Sequence, residues 1–452
     1  MRALLLLALA LVITACGPTA DPEPAGDTPA GASTLADGPR SVEMRQVDGR
    51  YQLVVDGEPF FIRGAGLEFG DIGTLAERGG NSFRTWRVDN GEQTGQEVLD
   101  AAAANGLLVT MGLEIARERE GEGRGVFGFD YDDEAAVAEQ LARVRAQVEQ
   151  YKDYPALIIW GIGNELNLGA TNPRVWDAVN EISEMIHEID PNHLTTTMLA
   201  GIGPELAEDI RTRAPDLDLL SIQMYADVEN IQQRIDDSGW EGPYMVTEWG
   251  ATGHWETDST AWGAPIENHS SRKADLYRQR YEDALLADST QFVGSYVFLW
   301  GQKQERTPTW YGMFMPTGDK TEAVDVMQYV WTGEWPANRS PRIEAPTLDG
   351  RTPTDDIRLQ PGQSVPAEIA ATDPDDDALQ YEWLVRREQT VLSEGGDDEP
   401  ETEVLPGLTV PAEAATTTLT APSEPGAYRL FVTITDGQGS AAHANIPFYV
   451  EE

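Results

Sequence analysis

Short apolar runs alternate with amphipathic stretches through the middle of the chain. Eight runs read as strands: 60–65 (FFIRGA), 81–86 (NSFRTW), 107–113 (LLVTMGL), 157–163 (LIIWGIG), 194–199 (LTTTML), 218–224 (DLLSIQM), 243–248 (PYMVTE) and 293–299 (VGSYVFL). Helical segments fall between them at 93–105, 133–152, 173–188, 204–213, 228–237 and 270–287. Strands alternating with such segments predict βα units, and eight of them in roughly 275 residues is the size of a (β/α)8 barrel. The structural rival is a doubly wound sheet, whose dinucleotide-binding form carries a glycine fingerprint after its first strand. Here Gly64 and Gly66 are followed by Leu67, Glu68 and Phe69, which does not fit. The expected fold class is α/β: a (β/α)8 TIM barrel followed by a small all-β, immunoglobulin-like sandwich.

The flanks read differently. Residues 1–15 are a leucine-rich apolar run behind one arginine, too short to span a bilayer permanently, and read as a secretory signal. Val12-Ile13-Thr14-Ala15-Cys16 resembles a bacterial lipobox, which implies cleavage before Cys16 and acyl chains on the new terminus. Cys16 is the only cysteine, so no disulfide forms within the chain and no thiol serves catalysis. The alternative is an ordinary signal peptide that contains a cysteine. Gly17 follows the cysteine where an aspartate would resemble an inner-membrane retention signal, so the expected location is the bacterial envelope, at the outer membrane or cell surface. Residues 16–40, rich in Pro, Ala, Gly, Thr and Asp, read as a flexible tether. The barrel is expected over 41–335, opening with a hairpin across 42–55 that turns at Asp48-Gly49. Residues 336–356 read as a linker, and 357–452 as a β-sandwich of period-two runs and no helix. DPDDDALQYEWLV and GAYRLFVTITDGQGS resemble bacterial PKD or cadherin-like modules. The acidic turn Asp373 to Asp377 suits either a structural Ca²⁺ or plain solvation.

Charge narrows the partners. Asp and Glu number 77 against 32 Lys and Arg, a formal net charge of -45. Such a surface repels nucleic acid and, unless the cleft is locally basic, polyanionic polysaccharides. No obligate protein partner is evident.

In a barrel, functional side chains gather at the carboxyl ends of the strands. The fourth predicted strand ends in Trp160-Gly161-Ile162-Gly163, followed by Asn164-Glu165; the seventh ends in Val246-Thr247-Glu248, followed by Trp249-Gly250. With 77 acidic residues, one glutamate at a strand end is unremarkable by chance. Two, each near a Trp and a Gly and separated by three βα steps, point to paired-carboxylate chemistry. The Asn-Glu after strand four with Glu after strand seven resembles the large barrel clan of retaining glycoside hydrolases. WGIGNE is similar to the family 2 catalytic domains, and GEPFFIRGAG to that family and to the family 72 β-1,3-glucanosyltransferases. The likeness covers about residues 45–335.

The resemblance implies roles. Glu165 would be acid/base and Glu248 nucleophile, with Glu165 raised toward neutrality by its like-charged neighbour. Arg84 would pair with Glu248 and keep it ionised, Asn164 would bond the sugar 2-hydroxyl, and Tyr225 would donate to Glu248. Trp300 would form the platform under the reacting sugar. Trp249 and Trp310, with Trp86, Trp255, Trp262 and Tyr311, are rim aromatics suited to pyranose faces; for all of them core packing is the alternative. Glu68, Glu114 and His254 are further rim candidates, and Glu118 to Glu122 read as a solvated run. The expected reaction is retaining hydrolysis of β-glycosidic bonds in a neutral polysaccharide or oligosaccharide, with no cofactor required and no metal at the site. A typical family 2 enzyme carries sandwich domains ahead of its barrel, whereas here the extra module follows it. That departure leans away from β-galactosidase or β-glucuronidase, and the compact barrel, the FFIRG opening and an expected open cleft lean toward a β-glucan. Transglycosylation by the same glutamates is one alternative, and a non-catalytic carbohydrate-binding lipoprotein another. A metal-dependent barrel hydrolase would want clustered histidines, which His187, His193, His254, His269 and His443 do not form.

Overall fold

The computed structural model describes residues 35, 38–121, 125–393, 397–409 and 414–452. The signal, Cys16, all but a few residues of the tether, and Glu122 lie outside them. Eight parallel strands close into a barrel: β1 (Ile62–Gly66), β2 (Ser82–Arg84), β3 (Leu108–Leu113), β4 (Leu157–Asn164), β5 (Leu194–Ala200), β6 (Leu219–Gln223), β7 (Tyr244–Glu248) and β8 (Phe292–Val297). Each coincides with a predicted apolar run. The reason is that a parallel strand covered on both faces must be apolar throughout, and all eight residues of β4 are buried.

A helix follows every strand: α1 (Ile72–Glu77), α2 (Gly95–Ala104), α3 (Glu134–Tyr151), α4 (Arg174–Ile189), α5 (Pro204–Arg213), α6 (Ile231–Ser238), α7 (Ser270–Gln279) and α8 (Glu322–Thr332). Their starts are chemically marked. Thr94 and Glu97 form a reciprocal capping box on α2, and Asp133 accepts from Ala135 and Ala136 at the head of α3. Two helices were not anticipated. α1 has only six residues, too short to show a period, and α8 buries seven of its eleven residues, Glu322 and Asp325 among them, so its pattern lacks a polar face.

Residues Val42–Val47 and Arg50–Val55 pair as the expected antiparallel hairpin. Val42, Leu53 and Val55 pack with Ile62, Ile158 and Leu219, residues of strands β1, β4 and β6, in one apolar cluster. The last hundred residues build an all-β module with its own core, which includes Trp383, Leu419, Ile446 and Phe448. Its main sheet runs 358–359, 441–450, 426–435, 380–387 and 404–405, facing a three-stranded sheet of 347–348, 364–368 and 416–420. The stretch expected as a linker is not free: Arg342–Ile343 pairs with 371–372, and Thr347–Leu348 with Ala367 and Glu368. Its Pro, Thr and Asp content reflects short strands and turns packed against neighbours. The acidic turn is closed by Asp373, whose Oδ1 accepts from the backbone of Asp375 and Asp377.

Barrel and module lie in one compact unit, Ser33–Glu452, joined by buried polar contacts. Glu267, in the loop after β7, accepts from Lys273 Nζ at 2.6 Å, from Thr307 and Thr309, and from the module's Asn445. Arg429 of the module donates to Pro265 O and to Asn445 Oδ1, each at 2.8 Å. Burial alone would raise Glu267, but the Lys273 ammonium and these hydrogen bonds outweigh it and hold the carboxyl down at about 2.

Candidate active site

The carboxyl ends of the strands open on a cavity of about 730 Å³, within the range of roughly 300–1,000 Å³ usual for small-ligand sites. Glu165 and Glu248 both line it, from β4 and β7. Eight carboxylates and four Lys or Arg side chains share the wall, so the cleft carries the negative sign of the whole protein.

Glu248 is held from every side. Its Oε1 accepts from Arg84 Nη1 at 3.1 Å, Trp86 Nε1 at 2.9 Å and Gln223 Nε2 at 2.9 Å, and its Oε2 from Tyr225 Oη at 2.8 Å. Arg84, wholly buried, also donates to Asn164 Oδ1 at 2.7 Å, which takes a second bond from Gln223 at 2.9 Å. Two donors on one oxygen fix the Asn164 amide, and no acceptor takes its NH₂ among the described residues, so it can donate into the cleft. Gly112 of β3 makes room for this cluster: a Cβ there would lie 2.4 Å from the Trp86 backbone.

Glu165 is treated differently. No protein donor reaches its carboxyl among the described residues, although its backbone N–H bonds Met198 O at 2.9 Å. Desolvation raises its carboxyl first, Glu248 adds like-charge repulsion, and Arg117 and Arg84 oppose both; the balance sits at about 7. The sequence reading made Glu248 the cause, whereas burial is the larger one. The backbone of Glu165 is left-handed, with φ at 52°, and Gly163 before it at 74°. Eight non-glycine residues have positive φ among those described, and five are turn aspartates. The other three, Phe69, Glu165 and Arg306, all line the cavity. Backbone strain of about 1–3 kcal/mol per residue is therefore concentrated where side chains are aimed at the cleft.

Of the predicted set, Arg84, Asn164 and Tyr225 converge on Glu248. The tryptophans divide. Trp86 lines the cavity, with the Arg84 guanidinium 4.4 Å from its ring centre, and Trp255 is 60% exposed on the wall. Trp300, Trp249 and Trp310 do not line it. Trp300 stacks on Trp331 and donates to Thr74 Oγ1 at 3.2 Å, Trp249 stacks on Tyr281, and Trp310 donates to Thr252 O at 2.9 Å. Beyond Val297 the strand alternation ends, so position in sequence no longer tells which ring faces the cavity; Phe298 does. Trp262 packs on Tyr449 of the module. Tyr311 is buried and tilts edge-on to Tyr225 and Phe298. Glu68 pairs with Arg87 at 3.0 Å, and Glu114 lies 3.9 Å from the same guanidinium. His254 lies 3.5 Å from Glu305. Glu118 is not simply solvated: it accepts from the backbone of Thr171 and Asn172, tying two barrel loops.

Several lining residues escaped sequence reasoning. Gln223 ends β6 two residues before Tyr225, and the strand-end rule would have found it. Arg117 and the Lys303–Glu305 pair sit in loops with no periodic signal. Ser393, Asp397 and Asp398 come from the module, far away in sequence. Among the described residues, no group of three or more His, Cys, Asp or Glu is arranged to hold a metal ion.

Comparison with known proteins agrees with the fold. No family model matches the chain. It is 24% identical over 179 residues to mannan endo-1,4-beta-mannosidase F of Aspergillus clavatus, covering 33% of this chain and 40% of that protein. It is 25% identical over 114 residues to the enzyme of the same name from Aspergillus fumigatus, covering 22% of this chain and 26% of that protein. The chain thus spans less than half the length of the curated relatives it matches. Among solved structures, a Bifidobacterium dentium beta-glucuronidase superposes with a TM-score of 0.51 at 17% identity over 65% of this chain and 49% of that one. The Faecalibacterium prausnitzii beta-glucuronidase gives 0.50 at 18% identity over 65% of this chain and 52% of that one. The fold is that of these (β/α)8 glycoside hydrolase barrels.

Proposed function

We propose that this protein hydrolyses β-glycosidic bonds in a neutral glycan with retention of configuration, Glu248 acting as nucleophile and Glu165 as acid/base. The observation that carries the proposal is the opposite treatment of two carboxylates facing one cavity. Glu248 accepts four hydrogen bonds and is fixed in place as an acceptor. Glu165, raised to about 7, keeps a proton to give near neutral pH. A carboxyl raised toward neutrality, facing the same cavity as one held by several donors, suits the pairing of acid and nucleophile. In the first step Glu248 forms a bond to the anomeric carbon while the glycosidic oxygen leaves with the Glu165 proton. In the second, water gives a proton to Glu165 and its oxygen to the anomeric carbon, freeing Glu248. The freed NH₂ of Asn164 is placed to bond a sugar hydroxyl, and Trp86, Phe298 and Trp255 offer apolar faces. The reaction needs only these residues and water.

A neutral substrate suits a wall in which three of the four cations, Arg87, Lys303 and Arg306, are each spent on a carboxylate, while Arg117 donates to Asn164 O. The likeness to proteins named mannan endo-1,4-beta-mannosidase supports adding β-1,4-mannan, as a candidate substrate, to the β-glucan expected from the sequence. A second sugar in place of water would give transglycosylation at the same site. Lipid attachment at Cys16 in the bacterial envelope belongs to the same proposal, and mass spectrometry of the N-terminal peptide from the expressing cells tests it. The activity is tested by NMR product analysis on β-1,4-mannan and β-1,3-, β-1,4- and β-1,6-glucans. Retained anomeric configuration, lost in Glu248→Ala, is expected. Inverted product, or full turnover by Glu248→Ala, overturns the mechanism.

A further inference from the structure

We infer that the C-terminal β-module supplies a wall of the substrate cleft, through Ser393, Asp397 and Asp398 between its strands 380–387 and 404–405, and so limits the length of glycan the site accepts. This rests on the proposed glycan-binding function. Three residues of the loop, Ser393, Asp397 and Asp398, line the same cavity as Glu165 and Glu248.

The loop is fastened at two neighbouring residues, to two different barrel loops. Asp397 receives a bidentate pair from Arg119, at 3.0 and 3.2 Å, in the loop after β3. Glu399 lies wholly buried and accepts from the backbone N–H of Arg306 at 2.6 Å and from its guanidinium, in the loop after β8. Ser393 completes the knot: its N–H and hydroxyl donate to Glu399 at 3.0 Å, and its carbonyl accepts from Arg306 Nη2 at 3.1 Å. Bidentate and buried charge-assisted bonds of this kind hold geometry as well as adding attraction.

Barrel order gives the consequence. Strands run β7, β8, β1, β2, β3, β4 around the ring, so residues tied to the segments after both β8 and β3 stand on the side of the mouth that holds β1 and β2. Glu165 and Glu248 enter from β4 and β7, outside that arc. A glycan lying across the two glutamates meets the module's loop on one side. Asp397 and Asp398 offer acceptors to sugar hydroxyls there, and a long chain cannot continue past them. The buried Glu267, Asn445 and Arg429 contacts keep the module seated, so the wall does not swing away.

The test compares the full-length protein with a variant in which residues 390–401 are replaced by a Gly-Asn-Gly turn. Arg306→Gly is added so that no buried guanidinium loses its partner at a left-handed backbone position. Both carry Glu248→Gln, and calorimetry measures binding of β-1,4-manno- and gluco-oligosaccharides of two to six units. With the loop present, affinity stops rising once the cavity is filled; with it shortened, the longest sugar gains at least tenfold over the shortest. Arg119→Ala, which releases one fastening and removes nothing from the loop, is expected to give an intermediate profile. Identical profiles, or an equal loss at every length, overturn the inference. If the protein with Glu248 intact cleaves glycans while the profiles coincide, the loop inference alone fails. Neither cleavage nor binding of any glycan overturns the proposed function as well.

Discussion

Glu165 and Glu267 are the same residue type, both set deep in the protein, and their surroundings take them in opposite directions. At the barrel–module contact, Glu267 meets a lysine, two threonines and an asparagine, and its carboxyl sits at about 2. In the cleft, Glu165 has no donor on its carboxyl among the described residues and another carboxylate as neighbour, and it sits at about 7. Burial pushes both upward; partners decide the outcome. A joint that only has to hold saturates its charge. The group proposed to pass a proton is left without bonds that would settle it in one state, and it also sits on a strained backbone.

This contrast is open to direct attack. The largest effect is expected from Glu165→Gln, which lowers turnover by about 10²–10⁴-fold. Steady-state kinetics on the best substrate of the panel measures it, and the loss should reach kcat as well as kcat/KM. Next is Glu267→Ala, which strands the Lys273 ammonium in the interior; breaking a buried pair costs about 3–5 kcal/mol. Chemical denaturation should show that loss, while the folded fraction keeps wild-type KM. If instead the catalytic variant unfolds and the joint variant loses activity without losing stability, the division of labour is wrong.

The pH dependence sharpens it. Glu165 is raised above its ordinary value of 4.5, so its contribution to stability is complete below about 4.5 and lost as pH rises through 7. Activity should fall along the same alkaline limb, and Glu165→Gln should raise Tm at pH 8 by ~2 °C while changing it little at pH 4. Glu267 is lowered, so its contribution is present above about 4.5 and lost as pH falls toward 2. Thermal melts of wild type and Glu267→Gln should converge at that acid end and separate at neutral pH. The smallest effect concerns the aromatics. Phe298→Ala should raise KM several-fold, whereas Trp300→Phe, in the core beside Trp331, should leave KM unchanged and cost only stability.

Much of this was legible before any coordinates. The eight strands appear as apolar runs because a barrel strand is buried on both faces, and Arg84, Asn164, Glu165, Tyr225 and Glu248 stand out because strand ends face the cleft. Legibility stops where chain order stops predicting direction. Trp300 and Phe298 lie two residues apart just past β8, and only the folded chain shows which ring reaches the cavity. α8 was missed because it is buried on most sides and so loses the alternation that announces a helix. The stretch 336–356 looked like a linker because strands of two residues leave no period to read.

What the sequence determined by itself, then, is the barrel and the position of Glu165 and Glu248 at the ends of its fourth and seventh strands, since both follow from local pattern and from a fixed rule about strand ends. The tertiary structure alone decided how each carboxylate is treated and which distant residues line the cleft. Desolvation at Glu165, the four donors on Glu248, and the approach of Asp397 and Asp398 from more than 140 residues beyond β7 are sums over neighbours distant in the chain. No stretch of sequence contains those sums, because burial and electrostatic coupling depend on distance through space.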